Sequence, residues 1–215
     1  MDRLSREPLD RSVVNELIDH VERKIDDVDA VLLSDYKSGV ATPELIEACR
    51  HLTGTSNKLL TVDSQGDLYR FKGFGLVKSN QAEAEATLGA RLDSEESFES
   101  GCRRLLEELG ACVVVITRGG NGLSLMQVGG PHIRIPVANR SEVFDVTGAG
   151  DTAIAMLTVA MSAGASPVIA AHLANYAAGL VVRKIGNATT TIDELREAIS
   201  TSQFPRVDPE QDFLK

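Results

Sequence analysis

The residues best suited to chemistry lie at 144–152, FDVTGAGDT, where two glycines flank an alanine just ahead of an apolar, Ala-rich run. If that run is a helix, Gly148, Ala149 and Gly150 bring backbone N–H groups to its N-terminus with almost no side chain in the way, and the helix dipole favours an anion there. Asp151 then falls in the first turn, where a carboxylate beside a phosphate pocket can take a proton from an attacking hydroxyl. The same residues also suit a tight turn followed by an acid that merely caps a helix. The stretch by itself leaves both readings open.

Other polar positions carry weaker signals. Asn80 and Glu83, three apart at a helix start, suit a solvated capping pair. The string ITRGGNG at 116–122 suits a glycine-rich turn into a hairpin. Asn175 is a polar residue on an otherwise apolar helix, where a hydrogen bond to a neighbouring loop would satisfy it. His20, His51, His132 and His172 show no spacing that suggests a metal site, which leaves surface or packing roles. Cys49, Cys102 and Cys112 are odd in number, lack metal-ligand spacing and sit beside apolar residues, so they read as buried thiols in a reducing, cytoplasmic compartment.

The elements that must position these residues alternate between helix and strand. Apolar positions at Val13, Val14, Leu17, Ile18 and Val21 give a helical period over residues 11–24, with Asp10 or Ser12 as N-cap. A short apolar run at 29–33 follows. Thr42-Pro43-Glu44 starts a second helix to about residue 52, with a capping residue and proline at the first helical position. Residues 58–62 form a second strand, 75–78 a third, and 80–88 a helix capped by Ser79 or Asn80. A longer helix at 94–109 leads to CVVVIT at 112–117, whose unbroken apolar character suits a strand covered on both faces. Residues 122–128 and 132–137 read as a hairpin across Gly129-Gly130-Pro131. Two Ala-rich helices at 149–163 and 167–184, then a short one at 193–200, complete the ordered region.

Strand and helix in alternation, with wholly apolar strands, argue for an α/β fold: a mostly parallel sheet with helices on both faces. We read one domain over residues 1–203, and 204–215, with charge and proline but no periodicity, as a mobile tail. The 22 Lys and Arg against 31 Asp and Glu give a net charge of −9 with no basic block, which disfavours nucleic acid or an anionic membrane as a partner. The charged opening MDRLSREPLDR reads against a signal peptide. The apolar stretch 153–182 is interrupted by Pro167, His172 and Asn175, which reads against a membrane span. A dinucleotide-binding oxidoreductase would need a glycine fingerprint after the early strand at 29–33, and none is there.

Taken together, the motifs resemble those of the ribokinase-like (PfkB) family of carbohydrate kinases. DVTGAGDT looks like that family's C-terminal signature, Asn80-Gln81-Ala82-Glu83 matches its N-x-x-E motif, and Thr117 to Gly122 matches its T-x-G-x-x-G nucleotide loop, all in family order. LSDYKSG at 33–39 and VVRKIGNATTT at 181–191 are similar, more narrowly, to the heptose-phosphate kinases of ADP-heptose synthesis. The resemblance implies ATP as donor, a sugar or sugar phosphate as acceptor, and Asp151 as the base that deprotonates the acceptor hydroxyl. It implies that Gly148, Ala149 and Gly150 stabilise the developing charge, and that Glu83 with Asn80 organises Mg²⁺ through water. Thr117, Gly119 and Gly122 would line the nucleotide, Asn175 would sit beside the adenine, and Asp145 would help hold a monovalent cation such as K⁺. Asp35, Lys37 and Asp63 are the candidates for contact with the sugar.

The chain also departs from the family pattern. Family members begin with a Gly-Gly motif, further strands and a small β-lid, and nothing of that kind precedes Met1, so the resemblance is to the C-terminal, nucleotide-binding part alone. At residues 62–66, VDSQG stands where the heptose branch shows Asp-Pro-Lys, and Lys78-Ser79-Asn80 replaces a Pro before the Asn. Two functions are therefore expected to compete: a carbohydrate kinase, and a nucleotide-binding half-protein completed by another chain. In either, a sheet without its neighbouring strands predicts a homodimer or a partner chain over the open edge.

Overall fold

The structure is a computed structural model that describes residues 9–138, 145–186 and 188–201. The tail expected at 204–215 and residue Phe144 lie outside the described residues.

Four apolar strands run parallel and side by side: β1 (Ala30–Asp35), β2 (Leu59–Ser64), β3 (Leu76–Asn80) and β4 (Val113–Thr117). Two antiparallel strands, β5 (Leu123–Gln127) and β6 (Ile133–Ile135), extend the sheet in the order β1-β2-β3-β4-β5-β6. Parallel neighbours need a long return, and helices supply most of it. Helix α1 (Arg11–Lys24) precedes β1, α2 (Pro43–Thr55) joins β1 to β2, and α3 (Gln81–Leu88) with α4 (Glu95–Leu109) joins β3 to β4. The β2–β3 return is shorter and holds a 3-10 turn at Leu68–Phe71.

Period-two alternation along the strands divides the core between two faces. Leu60, Val62, Val77, Val114 and Ile116 face α2, α3 and α4 through Cys49, Ala84, Phe98, Cys102 and Leu105. Leu76, Val113, Val115 and Leu125 face the Ala-rich helices α5 (Ala149–Ser162) and α6 (Pro167–Val181). The small residues of α5 and α6 let them lie close to each other and to the sheet. Helix α7 (Ile192–Ser200) closes against α6 through Leu195 and Ala198. The mostly parallel sheet with helices on both faces is thus the observed fold.

Boundaries shift where side chains intervene. Helix α2 passes the expected end near Leu52 because buried Thr53 donates its hydroxyl to the Cys49 carbonyl at 2.7 Å. Helix α3 starts after Asn80, whose side chain accepts the Glu83 amide while the Glu83 carboxylate accepts the Asn80 amide. Cys49 and Cys102 are buried as expected, but Cys112 is exposed. It lies in the bend just ahead of β4, outside the strand that is covered on both faces.

Candidate active site

The C-terminal ends of the parallel strands collect the chemistry. Asp63 on β2 lies in register with Lys78 on β3, and Asn80 lies in register with Thr117 on β4. Lys78 Nζ is 2.6 Å from Asp63 Oδ2, in a pair whose side chains are only 5% and 12% exposed. The pair lies beneath the first turn of α5: a Cβ built on Gly150 would stand 3.0 Å from Lys78 Nζ. Glycine at 150 is what lets the ammonium approach the helix end. A cation against the positive end of a helix dipole is unfavourable unless anions accompany it. Asp63 supplies one, and the arrangement suits a second. Burial pushes the Asp63 carboxyl up, Lys78 opposes that shift, and Asp151 adds to it.

At that helix end Gly148 is the N-cap, with φ of 80°, and no side chain caps the helix. The Ala149 amide donates to the Val146 carbonyl at 3.2 Å, and the first helical bond runs from the Thr152 amide to the Gly148 carbonyl at 2.9 Å. The amides of Gly150 and Asp151 are left without an intrahelical acceptor. Of the three residues expected to offer N–H groups, then, Ala149 already uses its own. Asp151 is exposed and accepts a hydrogen bond from Tyr36 Oη at 2.5 Å.

The loops around this centre are tied by buried polar contacts. Asp35, 3% exposed, accepts from the Lys37 amide (3.0 Å), Ser64 Oγ (3.2 Å) and Arg70 Nη1 (3.2 Å), so its oxygens hold loops together. Lys37 is exposed and adopts the left-handed φ of 57°. Burial pushes the Glu83 carboxyl up, its bond from the Asn80 amide opposes this, and Asp63, Lys78 and Lys37 are near enough to contribute. Asp145 accepts from the Thr147 amide (2.9 Å) and the Gly186 amide (3.2 Å), joining the segment before α5 to the one after α6. The Thr147 side-chain hydrogen bond first, then the Thr147 and Gly186 amides, hold its carboxyl below the usual range.

The nucleotide-loop candidates lie at the end of β4. Thr117 turns its hydroxyl toward the Ser79 carbonyl (3.4 Å), and Gly119 opens a 3-10 turn over Gly119–Asn121. Gly122, at φ of 88°, has no room for a side chain: a Cβ would lie 2.0 Å from the Ile135 carbonyl oxygen. Asn175 on α6 donates to the Pro136 carbonyl at 2.7 Å, the hydrogen bond to a loop that its setting suggested.

Three residues escaped the sequence reading. Lys78 could have been found by setting strands β2 and β3 in parallel register, which faces it to Asp63. Arg118 is 8% exposed, forks onto Glu95 at 3.0 and 2.7 Å, and stacks 3.7 Å from the Phe98 ring centroid, which fixes the base of the glycine loop. Tyr36 stands inside LSDYKSG, but no local pattern pairs it with Asp151, 115 residues away.

Among the described residues, no three His, Cys, Asp or Glu side chains group as direct metal ligands. A cavity of about 590 Å³ opens at the other end of the sheet, between α4 and the β5–β6 turn, away from these groups.

The sequence profile of the pfkB family carbohydrate kinases matches residues 11–194. The chain belongs to the pfkB family. It is 38% identical over 197 residues to the bifunctional protein HldE of Desulfatibacillum aliphaticivorans, covering 91% of this chain and 40% of that protein. It is 39% identical over 205 residues to HldE of Caulobacter vibrioides, covering 94% of this chain and 42% of that protein. The chain thus spans about two fifths of the length of these curated pfkB relatives. Its fold is similar to that of phosphofructokinase-2 from Escherichia coli in complex with potassium, with a TM-score of 0.76 and 17% identity over 90% of this chain and 63% of that one. Arabidopsis thaliana ribokinase complexed with ribose and ATP is similar too, with a TM-score of 0.72 and 19% identity over 89% of this chain and 60% of that one. No helix among the described residues is long and apolar enough to cross a membrane.

Proposed function

We propose that the chain provides the phosphoryl-transfer centre of an ATP-dependent carbohydrate kinase, with a sugar phosphate of the heptose class as acceptor. The observation that carries the reading is the Lys78 ammonium lodged under the uncapped N-terminus of α5, one residue from the Asp151 carboxylate. Bound ATP with Mg²⁺ supplies the transferable phosphoryl group and neutralises part of its charge. Lys78 and the amides of Gly150 and Asp151 hold that group electrostatically, with Gly148 setting the turn. Asp151 accepts the proton as the acceptor O–H bond breaks, while the hydroxyl oxygen gains the phosphoryl group and ADP departs. Asn80 and Glu83 hold the hydrated metal. Thr117, Gly119 and Gly122 seat the nucleotide, Asn175 borders its base, and Asp145 anchors the loops that a monovalent cation such as K⁺ would bridge. Lys37 is free to reach an acidic acceptor, while Asp35 and Asp63 serve it by positioning Lys37 and Lys78.

The test is ADP release against a panel of sugars and heptose phosphates. Asp151→Asn is expected to lower turnover by about 10²–10⁴-fold with ATP binding retained, because it removes the proton acceptor alone. Turnover unchanged in that variant overturns the assignment of the base.

A second reading has its own support. Among the described residues β1 pairs only with β2, so its outer edge is open. In this reading the chain is a nucleotide-binding half that needs a second copy or another protein over that edge, and ATP binds without turnover until the partner is present.

A further inference from the structure

Tyr36 is presented to Asp151 by a turn with little freedom. Its neighbour Asp35 is buried and pins the Lys37 amide at 3.0 Å, and Lys37 is held in the left-handed region at φ of 57°. From this turn the phenol crosses to the first turn of α5, where Oη donates to Asp151 Oδ1 at 2.5 Å. The donor is a hydroxyl, the acceptor is the carboxylate assigned as base, and the Lys78 ammonium lies against the preceding residue, Gly150. An acceptor hydroxyl awaiting deprotonation would have to make this same hydrogen bond.

We propose that Tyr36 is a stand-in for the acceptor: its phenol holds the hydroxyl position at Asp151 until a sugar displaces it, and so denies that position to water. The inference rests on the kinase reading above. A base held beside a phosphoryl group and open to solvent would activate water and hydrolyse ATP without an acceptor. Tyr36 closes that route with a group that is a poor nucleophile, since the hydrogen bond to Asp151 pushes its phenol above the usual tyrosine value and keeps it protonated. Its side chain is 51% exposed, so an acceptor can displace it without disturbing the core.

Tyr36→Phe tests this directly, because it removes one oxygen and leaves the ring, opening a gap of about one water beside Asp151. ATP–Mg²⁺ binding is measured first by calorimetry on the wild type, Tyr36→Phe and Tyr36→Phe/Asp151→Asn. ADP release is then followed in each without sugar, and the wild type is examined for covalent phosphate by mass spectrometry. The expected result is sugar-independent hydrolysis about tenfold faster in Tyr36→Phe, with the gain lost in the double variant. Unchanged hydrolysis in a Tyr36→Phe chain that binds ATP overturns the proposal. So does a gain that survives Asp151→Asn, or phosphate recovered on Tyr36 itself, which would make it an acceptor and not a shield. If the wild type does not bind ATP–Mg²⁺, the kinase reading itself fails and the shield falls with it.

Discussion

Lys78 and Asp63 hold each other in place at 2.6 Å with little access to water. Breaking a buried pair by removing one partner strands the other charge, whereas replacing both with apolar groups need not destabilise. Lys78→Met is therefore expected to lower stability by about 3–5 kcal/mol in urea unfolding, and Asp63→Leu/Lys78→Met to recover most of that loss. ATP binding should stay weak in both, because the ammonium under α5 is gone in each. The sign of the pH effect follows from Asp63. Its carboxyl already lies above the usual value through burial, and without Lys78 it rises further. The native state then holds its proton more tightly than the unfolded chain, so the destabilisation of Lys78→Met shrinks as pH falls through the carboxylate range. This pair was not legible in the sequence, because it depends on the register of two strands. FDVTGAGDT was legible, because a glycine turn, a helix start and its first-turn acid are all local.

Capping fixes several element ends, and the sequence announced it at Thr42 and Asn80. Thr42, Asn80 and Ser94 each accept an amide at a helix start, and Gly89 and Gly110 close α3 and α4 in the left-handed conformation. The Asn80–Glu83 pair is the capping box its spacing suggested, and Glu83 is the carboxylate proposed to hold the hydrated metal. Less legible was the close approach of the β6 end to the glycine loop, which no local pattern encodes. Gly122→Ala would press a methyl into the Ile135 carbonyl and force a positive φ on alanine. It is expected to cost more than about 2 kcal/mol in thermal or urea unfolding and to weaken nucleotide binding with it. Ser79 shows what a departure from the family pattern leaves behind: its buried hydroxyl has no hydrogen-bond partner among the described residues.

At the scale of the whole molecule, the sheet brings residues from β1, β2, β3, β4 and α5 to one end of its parallel strands, where an open α/β sheet usually binds its ligand. The alternation of strand and helix made that architecture legible. The ion pair beneath α5 and the phenol on Asp151 come only with the assembled fold. Among the described residues β1 pairs only with β2, and the chain spans about two fifths of the length of the HldE relatives. A phosphate-binding centre formed in this chain must take up ATP. The most direct measurement is a calorimetric titration of the purified 215-residue chain with ATP–Mg²⁺, followed in the same sample by ADP release against the sugar panel. Saturable binding near one ATP per chain is expected, with turnover that depends on the sugar. A chain that is folded yet takes up no ATP at millimolar concentration would contradict such a centre.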